Sequence, residues 1–143
     1  MKTGTVLVVD DEASIRQLVS FIIEGKTDKL PTEAMNGEAA LVLARASKPD
    51  LVILDVKMPG TIDGYDVARE LRADSRTRHI PILMLSALHT PFERAWGLEQ
   101  GADAFLRKPF DPKELAQLVT TLTAKQSTPR PAAVGLAWEA LAR

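Results

Sequence analysis

The sequence predicts an α/β domain in which a parallel sheet of five strands carries helices on both faces. Short apolar runs, the pattern of strands buried on both sides, alternate with stripes of helical spacing, five of each within about 120 residues. Strands separated by single helices require right-handed crossovers, which place helices on both faces of a parallel sheet. Size agrees: 143 residues, 45% of them hydrophobic, suit one domain with a sizeable core and leave little for a second.

The first strand is the apolar run Thr5 to Val9. Ile15, Leu18, Val19, Ile22 and Ile23 then fall on a helix stripe. Leu30 to Ala34 is a weaker strand, placed at a sheet edge because Pro31 cannot donate to a ladder. Asn36-Gly37 makes a turn and cap before a helix from Glu38 to about Ser47, and Pro49-Asp50 stops it. Leu51 to Leu54 is the next buried strand. A Pro/Gly-rich loop, Met58 to Gly64, leads to a helix with Val67 and Leu71 facing inward. Pro81 precedes the buried strand Ile82 to Leu85. Thr90-Pro91-Phe92-Glu93 has the spacing of a capping box with proline at the first helical position, and Gly101 ends that helix. Asp103 to Arg107 is the last strand. Asp111-Pro112-Lys113-Glu114 repeats the capping pattern ahead of Leu115, Leu118, Val119 and Leu122.

The domain is expected to run over residues 1–125. Pro129 and Pro131, among Ser, Thr and Ala, mark residues 126–143 as a linker or tail, in which Val134, Trp138 and Leu141 have the spacing of a short amphipathic helix. A formal net charge of -1 gives no basic field for direct nucleic-acid or membrane binding. The absence of cysteine excludes disulfides, thiolate nucleophiles and Cys-ligated zinc. No signal peptide or membrane span stands out, so a cytoplasmic location is expected.

Open α/β sheets bind ligands outside the carboxyl ends of their strands. The groups there are Asp10 and Asp11 after the first strand, Asp55 after the third, Ser86 after the fourth, and Lys108-Pro109 after the fifth. Three carboxylates in one pocket repel one another, and a hard divalent cation relieves them. Magnesium suits oxygen ligands and keeps several waters, and manganese is a substitute.

These pieces resemble the receiver domain of bacterial two-component response regulators, the CheY-like family. VLVVDDE, LVILDVKMPG, DGYDV, PILMLSA and GADAFLRKPFDPKEL carry the resemblance, from about Thr5 to Lys125. It implies the strand order 2-1-3-4-5. It implies Asp55 as phosphoacceptor, with Asp10, Asp11, Asp55 and the backbone carbonyl of Lys57 binding magnesium. Ser86 matches the switch hydroxyl, Lys108 the phosphoryl-binding lysine and Phe105 the switch aromatic. Pro109 resembles the proline that follows a cis peptide in this family. The implied function is a signalling switch rather than an enzyme. A histidine kinase or phosphotransfer protein would supply the phosphoryl group to Asp55. The last two helices and the strand between them would signal to an output domain or partner protein.

The sequence also departs from the family pattern. Receivers commonly read Met-Pro-Gly-Met-Asp-Gly after the acceptor, whereas Met58 to Gly64 is one residue longer. Phe105 lacks the hydroxyl of the tyrosine often found there. Arg94, Gly97-Leu98-Glu99 and Gly101-Ala102-Asp103 resemble the winged-helix transcription factors of the family. Those usually carry a basic residue where Leu118 stands and an acid where Ala104 stands, so their salt-bridged receiver dimer is not expected. Lys57 and Leu88 occupy positions that tune the phosphoryl lifetime. Neither is a good base, so slow dephosphorylation is expected.

His79 and His89 read as ordinary surface histidines, Trp96 as either an interface anchor or core, and Arg69, Arg72, Arg76 and Arg78 as a solvated basic face. A haloacid-dehalogenase-like phosphatase would need a second acid two residues after the nucleophile, where Lys57 stands. A dinucleotide fold would need a Gly-rich turn after the first strand. Two alternatives share the receiver fold: a phosphorylation-independent interaction module, and the N-terminal regulatory fragment of a larger response regulator.

Overall fold

A computed structural model describes residues 1–87 and 90–124. The elements follow in strict alternation: β1 (Thr5–Val9), α1 (Ala13–Lys26), β2 (Leu30–Ala34), α2 (Gly37–Ser47), β3 (Leu51–Asp55), α3 (Gly64–Ala73), β4 (Ile82–Ser86), α4 (Pro91–Gln100), β5 (Ala104–Arg107) and α5 (Pro112–Thr123). All strand pairs are parallel, in the order β2-β1-β3-β4-β5, with Pro31 on the edge strand as expected. The strand order is the one that the resemblance implied.

The alternation of side chains along each strand builds two cores from one sheet. Leu7, Val9, Val52, Leu54, Ile82 and Met84 pack on one face with residues from α2 and α3. Val6, Val8, Leu51, Ile53, Leu83 and Leu85 pack on the other with residues from α1 and α5. Strands sandwiched this way must be apolar at every position, which is why they read as unbroken runs.

Three helices, α2, α4 and α5, begin at the caps that the sequence predicts. The Asn36 side chain accepts from the Ala39 N–H at 2.8 Å, and the Thr90 hydroxyl accepts from the Glu93 N–H at 3.2 Å. The Asp111 side chain accepts from the Lys113 N–H at 2.8 Å. Asp63 and Asp66 form a reciprocal capping box at the start of α3. Two glycines meet specific demands. Gly101 closes α4 at φ +120, and a Cβ on Gly64 would lie 2.3 Å from the backbone oxygen of Asp55. The absent side chain at Gly64 lets α3 start directly against the end of β3.

Two readings of the sequence, those of Leu18 and Arg72, need correction, and the alternative left open at Trp96 is decided. Leu18, counted in the α1 stripe, is 47% exposed, because it lies about 100° round the helix from fully buried Val19. Trp96 is 41% exposed, which places it on the surface of α4 rather than in the core. Arg72 is not part of a solvated face. Its guanidinium donates to the carbonyls of Gly101, Arg78 and Ile80 and to Asp103 Oδ2, joining the end of α3 to the turns around β4 and β5. Arg69 and Arg76 are exposed and pair with Asp66 and Asp74. His79 is exposed, as expected. His89, Leu88 and the expected linker and amphipathic segment, 126–143, lie outside the described residues.

Candidate functional site

The carboxyl edge of the sheet gathers the groups that the sequence singled out. Asp10 follows β1 directly, Asp55 is the last residue of β3, Ser86 the last of β4, and Lys108 follows β5. Parallel strands that start in step end in step, so four separate segments deliver their terminal residues to one place. Asp10 is 1% exposed and Asp55 8%, while Asp11 is exposed. Each of the three aspartates offers an oxygen within 4.8 Å of the others.

Lys108 reaches into this cluster. Its Nζ donates to Asp10 Oδ2 at 3.0 Å and to Asp55 Oδ1 at 3.1 Å. The other oxygen of Asp10 accepts from the Glu12 N–H at 2.9 Å, so this carboxylate is held from both sides. The Lys108 N–H donates to the Ser86 carbonyl at 2.8 Å, tying the lysine to the end of β4. The Lys108–Pro109 peptide is cis, as the resemblance implied. Ser86 is buried beside these groups at the end of its strand.

One cation among three carboxylates leaves the pocket short of positive charge. Burial pushes the Asp55 carboxyl up to about 6, and the Asp10 charge adds to the shift. Lys108 opposes it without cancelling it. Burial works against the Lys108 ammonium, but its contacts with Asp10 and Asp55 outweigh this and hold it above its ordinary range. The two shifts agree once the charges are counted: the lysine gains two partners, whereas Asp55 gains one cation and two like charges. Hard oxygen donors with unbalanced negative charge fit a divalent cation that prefers oxygen.

Phe105 lies half-buried on β5 against the core under α4. A Cβ on Gly97 would lie 3.1 Å from the Phe105 ring, so α4 and this side chain are closely fitted. Lys57 is exposed beside the pocket. The lengthened loop after β3 is fastened at its far side, where the Thr61 hydroxyl donates to Glu38 Oε2 of α2 at 2.8 Å.

The sequence reading missed Arg16. Its Nη1 donates to the Asp10 carbonyl at 2.8 Å and its Nε to Glu33 Oε1 at 3.0 Å. The available signal was a cation less than two turns beyond the acidic pair, on the side of α1 next to the edge strand.

A sequence profile of the response regulator receiver domain matches residues 6–120. The chain is 50% identical over 110 residues to a probable transcriptional regulator, ycf27, of Porphyra purpurea, covering 77% of this chain and 43% of that protein. It thus spans less than half the length of that relative. Among solved structures, a putative response regulator from Chloroflexus aurantiacus superposes with a TM-score of 0.81 at 36% identity, covering 86% of this chain and 99% of that one. The chemotaxis protein CheY4 of Vibrio cholerae superposes with a TM-score of 0.78 at 33% identity, covering 84% and 98%.

Proposed function

The chain belongs to the response regulator receiver domain family, whose members are signalling switches of two-component systems, and from that premise we propose that Asp55 is its phosphoacceptor. The observation that carries this reading is the Lys108 ammonium spanning Asp10 and Asp55, with Asp11 at the same edge. A carboxylate oxygen of Asp55 attacks the phosphorus of a phosphohistidine on a kinase or phosphotransfer protein. The P–O bond forms as the P–N bond breaks, and the imidazole leaves with the bonding pair. Such transfer needs little beyond positioning and charge neutralisation. Lys108 meets phosphoryl oxygens as a point charge, and the Ser86 hydroxyl donates to another. Asp10, Asp11, Asp55 and the backbone carbonyl of Lys57 would hold magnesium or manganese, which supplies the remaining positive charge.

A phosphoryl group on Asp55 draws Ser86 toward it and opens space for Phe105 to turn inward from β5. Because α4 fits closely against Phe105, that rotation reshapes α4, β5 and α5, the surface presented to an output domain or partner protein. The relative's name as a transcriptional regulator makes gene control a reasonable output for a longer protein containing this domain. Among the described residues, no helix is long and apolar enough to cross a membrane.

Intact-mass measurement after treatment with phosphoramidate and magnesium tests the assignment. The parent gains one phosphoryl group, and Asp55→Ala gains none. A variant that still takes up phosphate at the parent rate overturns it, and a parent that takes up none favours a phosphorylation-independent interaction module. The apolar and cationic residues at Leu88 and Lys57 imply a long-lived phosphoryl state. Lys57→Asn combined with Leu88→Glu should shorten its lifetime ~10-fold, read from the decay of labelled protein once the donor is removed.

A further inference from the structure

Resting on the reading of Asp10, Asp11 and Asp55 as a magnesium site, we propose that Arg16 is a positioning residue for it, holding the Asp10–Asp11 peptide so that the Asp11 carboxylate faces the cation. Arg16 sits in the first turn of α1, where its N–H donates to the Glu12 carbonyl at 3.1 Å. Its side chain turns back across the loop after β1. Nη1 donates to the Asp10 carbonyl at 2.8 Å, and Nε to Glu33 Oε1 at 3.0 Å. The second oxygen of Glu33 accepts from the Ser20 hydroxyl at 3.1 Å. The Asp10 N–H meanwhile donates to the Ala34 carbonyl at 3.2 Å. Backbone groups on both sides of the Asp10 Cα are therefore held, one by β2 and one by Arg16.

The carbonyl that Arg16 grips belongs to the peptide linking Asp10 to Asp11. Peptide units are planar, so fixing that oxygen fixes the direction in which the chain enters Asp11. The two acids differ in what else restrains them. Asp10 has the Glu12 N–H and Lys108 on its carboxylate. The Asp11 side chain is exposed and, among the described residues, has no hydrogen-bond partner. Its aim depends on the backbone that carries it. A guanidinium suits this task because its planar fork binds a carbonyl and a carboxylate together while staying charged. Groups that orient a metal ligand typically change metal affinity 10–100-fold.

Calorimetric titration of magnesium into the metal-free chain tests the proposal. Arg16→Met should weaken binding ~10-fold, Arg16→Lys nearly as much, and Glu33→Gln by ~3-fold. The same substitutions made on Asp11→Asn should cost no more than ~2-fold, because the ligand they aim is already impaired. Unchanged affinity in Arg16→Met overturns the proposal. So does a tenfold loss that persists in Asp11→Asn, since Arg16 would then act through charge or general folding. Should Arg16→Met fail to fold, Glu33→Gln with and without Asp11→Asn carries the same comparison. A parent that binds no magnesium removes the premise, and this proposal falls with it. A parent that binds normally beside an unaffected Arg16→Met overturns this proposal alone.

Discussion

Asp55 and Asp74 are both aspartates at the end of a secondary-structure element, both beside basic side chains, and they are driven in opposite directions. Asp74 follows α3 and is half-buried. Arg76 donates to it from Nε at 3.0 Å, from Nη2 at 2.7 Å and from its backbone N–H at 2.9 Å, and Arg45 adds a contact at 3.0 Å. Those bonds hold its carboxyl far below the usual carboxylate range. Asp55 has a single lysine, shared with Asp10, and burial pushes it up to about 6. Around Asp74 the cations outnumber the acid and the charges are spent on structure. Around Asp55 the acids outnumber the cation, and the deficit is what a metal and a phosphoryl group can use.

The contrast is open to several tests. The largest effect should come from the cations themselves. Lys108→Met should slow phosphoryl uptake from a small donor ~100-fold, as loss of an electrostatic partner of transferring charge does, whereas Arg76→Met should leave the rate unchanged. Comparable rates in the two variants would erase the distinction.

Asp55→Asn should stabilise the metal-free protein above pH 6 by about 2 kcal/mol, measured by urea denaturation. The sign follows from the raised folded-state value. Between an unfolded value near 4 and a folded value of about 6, the native state binds the extra proton, so parental stability falls as pH rises through that window. The advantage of asparagine should vanish near pH 4. Asp74 has the opposite sign. Its contribution is present above the ordinary carboxylate range and is lost as the pH drops below it, so Asp74→Asn should lower the melting temperature at pH 7 and converge with the parent in acid. The smallest expected change separates Asp10 from Asp11. Asp11→Asn should leave metal-free stability nearly unaltered, since its side chain is exposed, while Asp10→Asn gives up part of the Glu12 and Lys108 contacts and melts lower.

Much of this was legible in the chain because its causes are local or periodic. β1, β3 and β4 announce themselves as unbroken apolar runs since both their faces are covered. Caps at Asn36, Thr90 and Asp111 lie within three residues of the donors they satisfy, whereas the Asp63 capping box was passed over inside the loop after β3. The edge position of β2 followed from Pro31. The site residues were found because parallel strands bring their ends together, and their roles came from the resemblance of the motifs. Arg16 and Arg72 were missed for a common reason. Each works through a long side chain that reaches carbonyls on other elements, and neither apolar periodicity nor turn chemistry records where such a chain will land. Leu18 was misjudged because a helix stripe has a margin, and packing against the sheet decides how far round it is covered.

The proline of β2 bears on how these molecules coexist at high concentration. Leu30 donates its N–H inward to the Gly4 carbonyl, so its neighbour Pro31 faces the open side, where it has no N–H to give. A foreign strand seeking to lengthen the sheet there finds no backbone donor at the second of the five residues of that edge. That edge is a poor template for the strand-to-strand growth that leads to fibrils.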